Sequence, residues 1–152
     1  MKISAEEIKR LCSLTGVGLT DAKQALTKAG GDFDKALSAM QAKGLVSAKM
    51  RAEREARAGL IDAYVHDGRI GVVLEVNCET DFVAKTDEFK VLVRDLCLQV
   101  AASDPKDEAE LMSQPFIRDP DQTVGGLIKS HAAKLGENIV LKRFYRMMLG
   151  EI

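Results

Sequence analysis

The chain has 152 residues, 46% of them apolar and 30% charged, with 22 Lys plus Arg against 23 Asp plus Glu. That is the composition of an ordinary globular protein, long enough for one domain of typical size or for a small module joined to a larger one. A formal net charge of −1 speaks against a dedicated nucleic-acid surface, which carries a basic excess, and points to a protein partner instead.

The first 44 residues read as three short helices. Ser4 can cap the first, with Glu7 three residues on completing a capping box, and Ile8, Leu11 and Leu14 form a helical stripe that stops at Gly16. TGVG is the turn. Thr20 can cap a second helix in which Ala22, Ala25, Leu26 and Ala29 share a face before Gly30-Gly31 ends it. Asp32 can cap a third, whose stripe of Phe33, Ala36, Leu37 and Met40 is closed by Gly44. So small a bundle folds when its three stripes converge on one core. The next segment, SAKMRAEREARA from Ser47 to Ala58, has high helix propensity and Met50 as its one large apolar residue, the pattern of an exposed helical linker. Arg51, Arg54 and Arg57 fall within one arc of such a helix and can meet phosphates. A solvated face with a Glu53–Arg57 pair at i,i+4 is the simpler reading.

The period then changes. Leu60–Val65 and Ile70–Val76 flank His66-Asp67-Gly68-Arg69, and Asp-Gly between two apolar runs is a strong hairpin signal. Thr86 can cap a long helix with Phe89, Leu92, Val93, Leu96 and Val100 on one face, which must cover the hairpin. Asp104-Pro105 ends it. Gln114–Asp121 reads as a loop with two prolines, and Val124, Leu127, Ile128 and Leu135 form another helical face ended by Gly136. A last strand runs from Ile139 to Leu149, with Ile139, Leu141 and Tyr145 alternating against Lys142, Arg146 and Met148. The fold class is α+β: a helical bundle at 1–45, a helical linker at 46–59, and at 60–152 a three-stranded antiparallel sheet covered by helices.

Catalytic motifs are sparse. TGVGLTD puts Asp21 where a dinucleotide fingerprint needs its third glycine and follows a helix rather than a strand, and there is no Gly-Lys dipeptide for a phosphate-cradling P-loop. His66 beside a hairpin turn and His131 in a helix are the only imidazoles. His131 reads as a packed helix residue rather than a catalyst. Cys12, Cys78 and Cys97 are odd in number and widely spaced, with no CxxC pair, so free thiols in a reducing compartment are expected. A nucleophilic Cys78 would need a base and an oxyanion site. Glu79, Asp81, Asp87 and Glu88 do not match an EF-hand loop, so neither metal nor cofactor is expected. MKISAEEIKRL is charged and helical, not a basic cap on an apolar run, and no apolar stretch is long enough to span a bilayer, so the expectation is a cytoplasmic protein without membrane association.

What remains is the corner NCETDFVAKTDEF at residues 77–89. Thr80 can cap a short turn with Asp81 at its positive end, leaving Phe82 and Val83 to face opposite ways. Phe82 is there either a plug of the core, as most phenylalanines are, or an exposed tool.

NCETDFVAKTDEF, preceded by GVVLEV, resembles the core signature of the elongation factor Ts family, to which TDFVA is highly specific. LCSLTGVGLTDAKQALTKAGGDFDKAL is similar to that family's N-terminal ubiquitin-associated-like three-helix bundle, SAKMRAEREARAGLI to its joining segment and KLGENIVLKRF to the end of its core subdomain. The matches run in family order over nearly the whole chain, least well over Asp104–Thr123. The resemblance implies a non-enzymatic guanine nucleotide exchange factor whose partner is elongation factor Tu, GDP-bound and nucleotide-free. It implies that Phe82 is a wedge entering Tu beside its magnesium site, that Asp81 helps place it, and that Thr80 and Val83 set the corner. Val17, Gly18, Leu19 and Lys23 correspond to the family's contact with the Tu nucleotide domain, and Leu135 and Gly136 to a second contact from the core. Many relatives carry two core repeats and a protruding helical hairpin. This chain has one repeat and a short Pro-containing loop where extra helices would be inserted, which implies pairing with a second copy as a homodimer. The rival reading is a ubiquitin-associated-like adaptor that binds a different partner.

Overall fold

The structure, a computed structural model, describes residues 2–15 and 17–151, with the backbone alone at 45–47. It divides into two compact units, Met1–Met50 and Arg51–Ile152. Gly16, expected to end the first helix, lies outside the described residues.

The first unit holds α1 (Ala5–Thr15), α2 (Leu19–Lys28) and most of α3 (Phe33–Ala52). The capping box forms: Ser4 Oγ accepts from the Glu7 amide at 3.1 Å and the Glu7 carboxylate accepts from the Ser4 amide at 3.0 Å. Asp32 caps α3 by accepting from the Lys35 amide at 3.1 Å. The stripes converge as their spacing requires, with Leu11, Ala22, Leu26 and Ala36 buried and Ile8, Val17, Ala25, Phe33 and Leu37 packed around them. Arg10 lies over the Phe33 ring, 4.8 Å from its centre. Two expectations fail here. Gly18, not Thr20, is the residue before α2, and it offers no side-chain cap. Nor does Gly44 end the third helix, which runs on to Ala52. One interior glycine costs a helix only about 1 kcal/mol, and good helix formers flank it.

Beyond Ala52 the chain leaves the helix, so Arg51, Arg54 and Arg57 do not share one helical arc. Arg57 pairs with Glu55 at 2.6 Å rather than with Glu53, and Arg54 reaches Glu79 at 3.6 Å.

The second unit is built on β1 (Ala58–His66), β2 (Ile70–Cys78) and β5 (Val140–Met148), antiparallel in the order β1-β2-β5. Asp67 and Gly68 both take positive φ, 52° and 66°, the two-residue turn whose twist suits a hairpin. On the sheet's inner face lies α5 (Asp87–Ser103), burying Phe89, Leu92, Val93, Leu96 and Val100, the residues its sequence stripe selects, together with Cys97. The α7 helix (Val124–Leu135) adds Val124, Leu127 and Ile128 to the same core. Arg146 bonds the Ala101 carbonyl at 3.2 Å and the Asp104 carboxylate at 3.2 Å, a cation at the negative end of α5.

Two local readings are corrected in this unit. The segment expected as a loop, Gln114–Asp121, holds most of a small hairpin of β3 (Pro115–Phe116) and β4 (Asp119–Thr123), and a short helix not read in the sequence, α6 (Glu108–Ser113), precedes it. The hairpin is tied to α5 by fully buried Gln99, whose amide donates to the Pro115 carbonyl at 3.1 Å and accepts from the Ile117 amide at 2.9 Å. In β5 the alternation changes phase: Glu75 pairs with Arg143 while Val76 pairs with Leu141, so Lys142 is an extra residue in a bulge. Leu141 therefore faces the core and Tyr145 faces outward.

Gly59 sits opposite Asn77 with φ 139°, where a Cβ would lie 2.0 Å from the Val76 carbonyl oxygen. Gly59→Ala is expected to destabilise the sheet unit by about 3 kcal/mol or more, read as a lowered midpoint in urea unfolding followed by circular dichroism.

Candidate functional site

The end of β2 is made rigid before the corner begins. Val76, Asn77 and Cys78 are buried. The Asn77 amide donates to the Ala58 carbonyl at 3.2 Å and to the Glu75 carboxylate at 3.0 Å. Thr80 then takes extended backbone angles and caps α4 (Asp81–Ala84), its Oγ1 accepting from the Val83 amide at 3.4 Å. A single turn of four residues has almost no stability of its own, because nucleating a helix fixes several dihedrals for one bond. The neighbours supply the difference. Ala84 is buried and Val83 packs on the core. The Thr86 hydroxyl donates to the Val83 carbonyl at 2.7 Å while accepting from the Phe89 amide at 3.2 Å, so the end of α4 and the start of α5 share one side chain.

One turn cannot point every side chain inward. Val83 and Ala84 take the inside, and Phe82 stands 86% exposed, with Asp81 exposed beside it. Of the two readings open in the sequence, the ring is not a core plug.

A second segment meets this corner. α7 ends at Leu135, which packs on the core, and Gly136 follows with φ 74°, the left-handed cap that glycine adopts freely. Next comes Glu137, whose carboxylate accepts from the Glu79 amide at 3.2 Å, the Thr80 amide at 3.0 Å and the Thr80 hydroxyl at 2.7 Å. The Glu79 carboxylate in turn accepts from the Asn138 amide at 2.8 Å. Thr80–Val83 and Leu135–Gly136 are thus brought together through Glu137, as their separate assignment in the sequence did not foresee. The sequence reading gave Glu137, Asn138 and Glu79 no role at this corner. The only local signal is a polar Glu-Asn pair between a helix-ending glycine and an apolar strand.

Val17, Gly18, Leu19 and Lys23 belong to the other unit. Val17 packs on the bundle core, Gly18 precedes α2, and Leu19 is 62% exposed with exposed Lys23 one turn along the same face. A groove of about 420 Å³ in that unit is lined by residues of α2 and α3, among them Ala25, Lys28, Lys35 and Met40.

The chemistry of the corner is not that of a nucleophile. Burial, then the nearby Glu137 carboxylate, pushes the Cys78 thiol up from its ordinary value, and its sulfur donates to the Thr80 carbonyl at 3.2 Å. The thiolate is the reactive form, so this one is suppressed. Burial pushes Cys97 further, up to about 12. Nδ1 of His66 lies 2.8 Å from the Tyr64 hydroxyl, and Nδ1 of His131 lies 3.0 Å from the Leu127 carbonyl. Among the described residues no cluster of three His, Cys, Asp or Glu side chains is placed to hold a metal, and no helix is long and apolar enough to cross a membrane.

Residues 79–151 match the family described as elongation factor TS. The chain is 41% identical to elongation factor Ts of Thermoanaerobacter sp. (strain X514), over 98% of this chain and 96% of that one. The chain belongs to the elongation factor Ts family. It is 36% identical to the elongation factor Ts of Thermodesulfovibrio yellowstonii, over 99% of this chain and 98% of that one, and 40% identical to that of Synechococcus sp. (strain JA-3-3Ab), over 99% and 70%. The first alignment runs over 195 positions against 152 residues here, so at least 43 (195 less 152) stand opposite gaps in this chain. Family membership makes the chain a non-enzymatic factor of translation elongation.

Because the Phe82 ring is in water, Phe82→Ala is expected to leave thermal stability within about 0.5 kcal/mol of the parent, against roughly 3 to 5 kcal/mol for emptying a core phenylalanine site. Differential scanning calorimetry of the two proteins checks it.

Proposed function

We propose that the chain is a guanine nucleotide exchange factor for elongation factor Tu, and that it promotes GDP release by inserting Phe82 beside the magnesium site of Tu, with Asp81 helping to place the ring. The observation that carries this reading is the exposure of a phenylalanine on a turn whose Val83 and Ala84 are packed into the core. Such a ring leaves water only when a partner supplies a pocket, and burying it there is worth about 1.5 to 3 kcal/mol. For that energy to drive exchange, the pocket must exist in nucleotide-free Tu and be poor or absent in the GDP form. A partner that bound both forms equally would shift nothing. No covalent bond is made or broken.

The remaining contacts follow the same reading. The N-terminal bundle is a ubiquitin-associated-like module that docks on the Tu nucleotide domain through Val17, Gly18, Leu19 and Lys23, with apolar Leu19 and basic Lys23 adjacent on its surface. Leu135 and Gly136 make a second contact beside the corner, which the bonds of Glu137 to Glu79 and Thr80 support. Release of labelled GDP from Tu, followed by stopped flow, is expected to speed up with the parent chain and to lose most of that acceleration with Phe82→Ala. Cys78→Ser is expected to exchange normally. A parent chain without effect on GDP release would favour an adaptor with a different partner.

The chain is also proposed to act as a homodimer through the outer face of its sheet. Ile61 and Val65 of β1, Val73 of β2 and Tyr145 and Met147 of β5 are exposed there, the last two at 68% and 73%. Register places Val73 between Ala63 and Tyr145, and Gly71 between Val65 and Met147. An apolar face this continuous is the kind that a further surface covers. Beyond the bulge at Lys142, Phe144 packs on the core, while Tyr145, Met147, Met148 and Leu149 are exposed. Sedimentation equilibrium is expected to give twice the monomer mass, shifting toward monomer with Tyr145→Lys. A monomer mass at every concentration would remove the dimer.

A further inference from the structure

We propose that Glu137 is the positioning residue of the exchange corner: its carboxylate, reaching across from the turn after α7, sets the aim of Phe82 by fixing the hydroxyl of Thr80. This rests on the wedge reading of Phe82 and deepens it.

The argument begins with what a threonine hydroxyl can do. It has one proton to give and two lone pairs. Here the proton goes to Glu137 over 2.7 Å, the short distance of a bond to an ionised acceptor. That donation commits the hydroxyl's orientation and leaves a lone pair for the Val83 amide at 3.4 Å. Glu137 is the protein acceptor this hydroxyl has among the described residues, and its loss releases the rotamer held against the first turn of α4. The other Glu137 oxygen holds the amides of Glu79 and Thr80 at 3.2 and 3.0 Å, so one side chain governs three consecutive groups on the approach to the turn.

The grip is returned. Glu79 accepts from the Asn138 amide at 2.8 Å and meets the Arg54 guanidinium at 3.6 Å. The Asn138 side-chain amide donates to the Arg54 carbonyl at 2.7 Å. Each strand end therefore lends a carboxylate to the other's backbone. These bonds join groups 57 to 59 residues apart in sequence, just past the Asn77–Val140 ladder pair, and they lie at the margin of the apolar core: Glu137 is half-buried and belongs to no apolar cluster. An ordinary structural role would be served by satisfying the two amides. The bond to the Thr80 hydroxyl does more, because it acts on the cap of the four-residue helix that carries the wedge. A wedge aimed before contact spares the complex the ordering of that turn at the interface, a cost otherwise subtracted from binding.

The test compares Glu137→Ala, Glu137→Gln, Phe82→Ala and the exposed charge control Glu88→Gln in the full chain. GDP release from Tu is measured across a range of factor concentrations, and amide hydrogen exchange by NMR is measured on the same proteins without Tu. Glu137→Ala is expected to lower the maximal release rate by about tenfold or more, the size of one lost charge-assisted bond, with a smaller change in the half-saturating concentration. Amides of Glu79, Thr80 and Val83 should then exchange faster while α5 stays protected. Glu137→Gln keeps an acceptor for the two backbone amides but turns a donor toward the Thr80 hydroxyl, so Val83 alone should lose protection, with an intermediate rate. Glu88→Gln should match the parent. A parental maximal rate, or parental Val83 protection, in both Glu137 variants overturns the proposal. So does a rate loss in Glu137→Ala that only tracks the unfolded fraction. If Glu137→Ala does not fold, Glu137→Gln decides by the same two readings. Full activity in Phe82→Ala would instead remove the wedge itself, and loss there with parental Glu137 variants would remove the positioning role alone.

Discussion

An aromatic ring held in water is the constraint on which the rest of the sheet unit depends. Left to itself, a phenylalanine at the edge of an apolar core folds back onto it, since burial is worth about 1.5 to 3 kcal/mol. Phe82 is kept from doing so because its neighbours have taken the inward positions. Val83 and Ala84 fill the inside of the turn, Thr80 and Thr86 hold its two ends, and α5 begins immediately after it. The turn is over-determined, and the Phe82 ring is left pointing out.

That determination is inherited from the platform beneath. The α5 helix lies on β2, the central strand, with both its ends tied down: Thr86 caps the start, and Arg146 from β5 bonds the Ala101 carbonyl and Asp104. Buried Gln99 fastens the β3–β4 hairpin to the same helix. A buried glutamine is costly unless its groups are paired. Here two of its bonds run to the hairpin's backbone, so they fix where the hairpin sits rather than merely offsetting desolvation.

Much of this was legible along the chain, and the boundary of what was legible is physical. The Asp67-Gly68 turn, the α5 stripe and the caps at Ser4, Asp32, Thr80 and Thr86 were readable because each is decided within four residues of itself. The failures are of two kinds. Gly44 and Thr20 mark places where a local preference of about 1 kcal/mol or less was outweighed by its flanks. The bulge at Lys142, the hairpin under Gln99 and the grip of Glu137 on Thr80 are decided by partners far away in sequence, and periodicity carries no record of them. The exposure of Phe82 lies between the two kinds. A short turn at a corner allowed both a buried and an exposed ring, and only the filled core beneath it separates them.

A convex site also explains why the corner lacks what an active site needs. Concave sites gather reactive groups and exclude water, and they shift the ionisation of those groups toward reactivity. Here the one thiol at the corner is shifted away from it, and the two carboxylates that converge there, Glu79 and Glu137, spend their lone pairs on backbone amides and a hydroxyl. Polar groups that would serve chemistry elsewhere serve rigidity. In the proposed exchange this is the economical arrangement, because the factor has only to favour one state of its partner over another. Rigidity of the protruding element sharpens that preference, since a flexible one can adapt to both states, and discrimination between states is lost to the extent that it does.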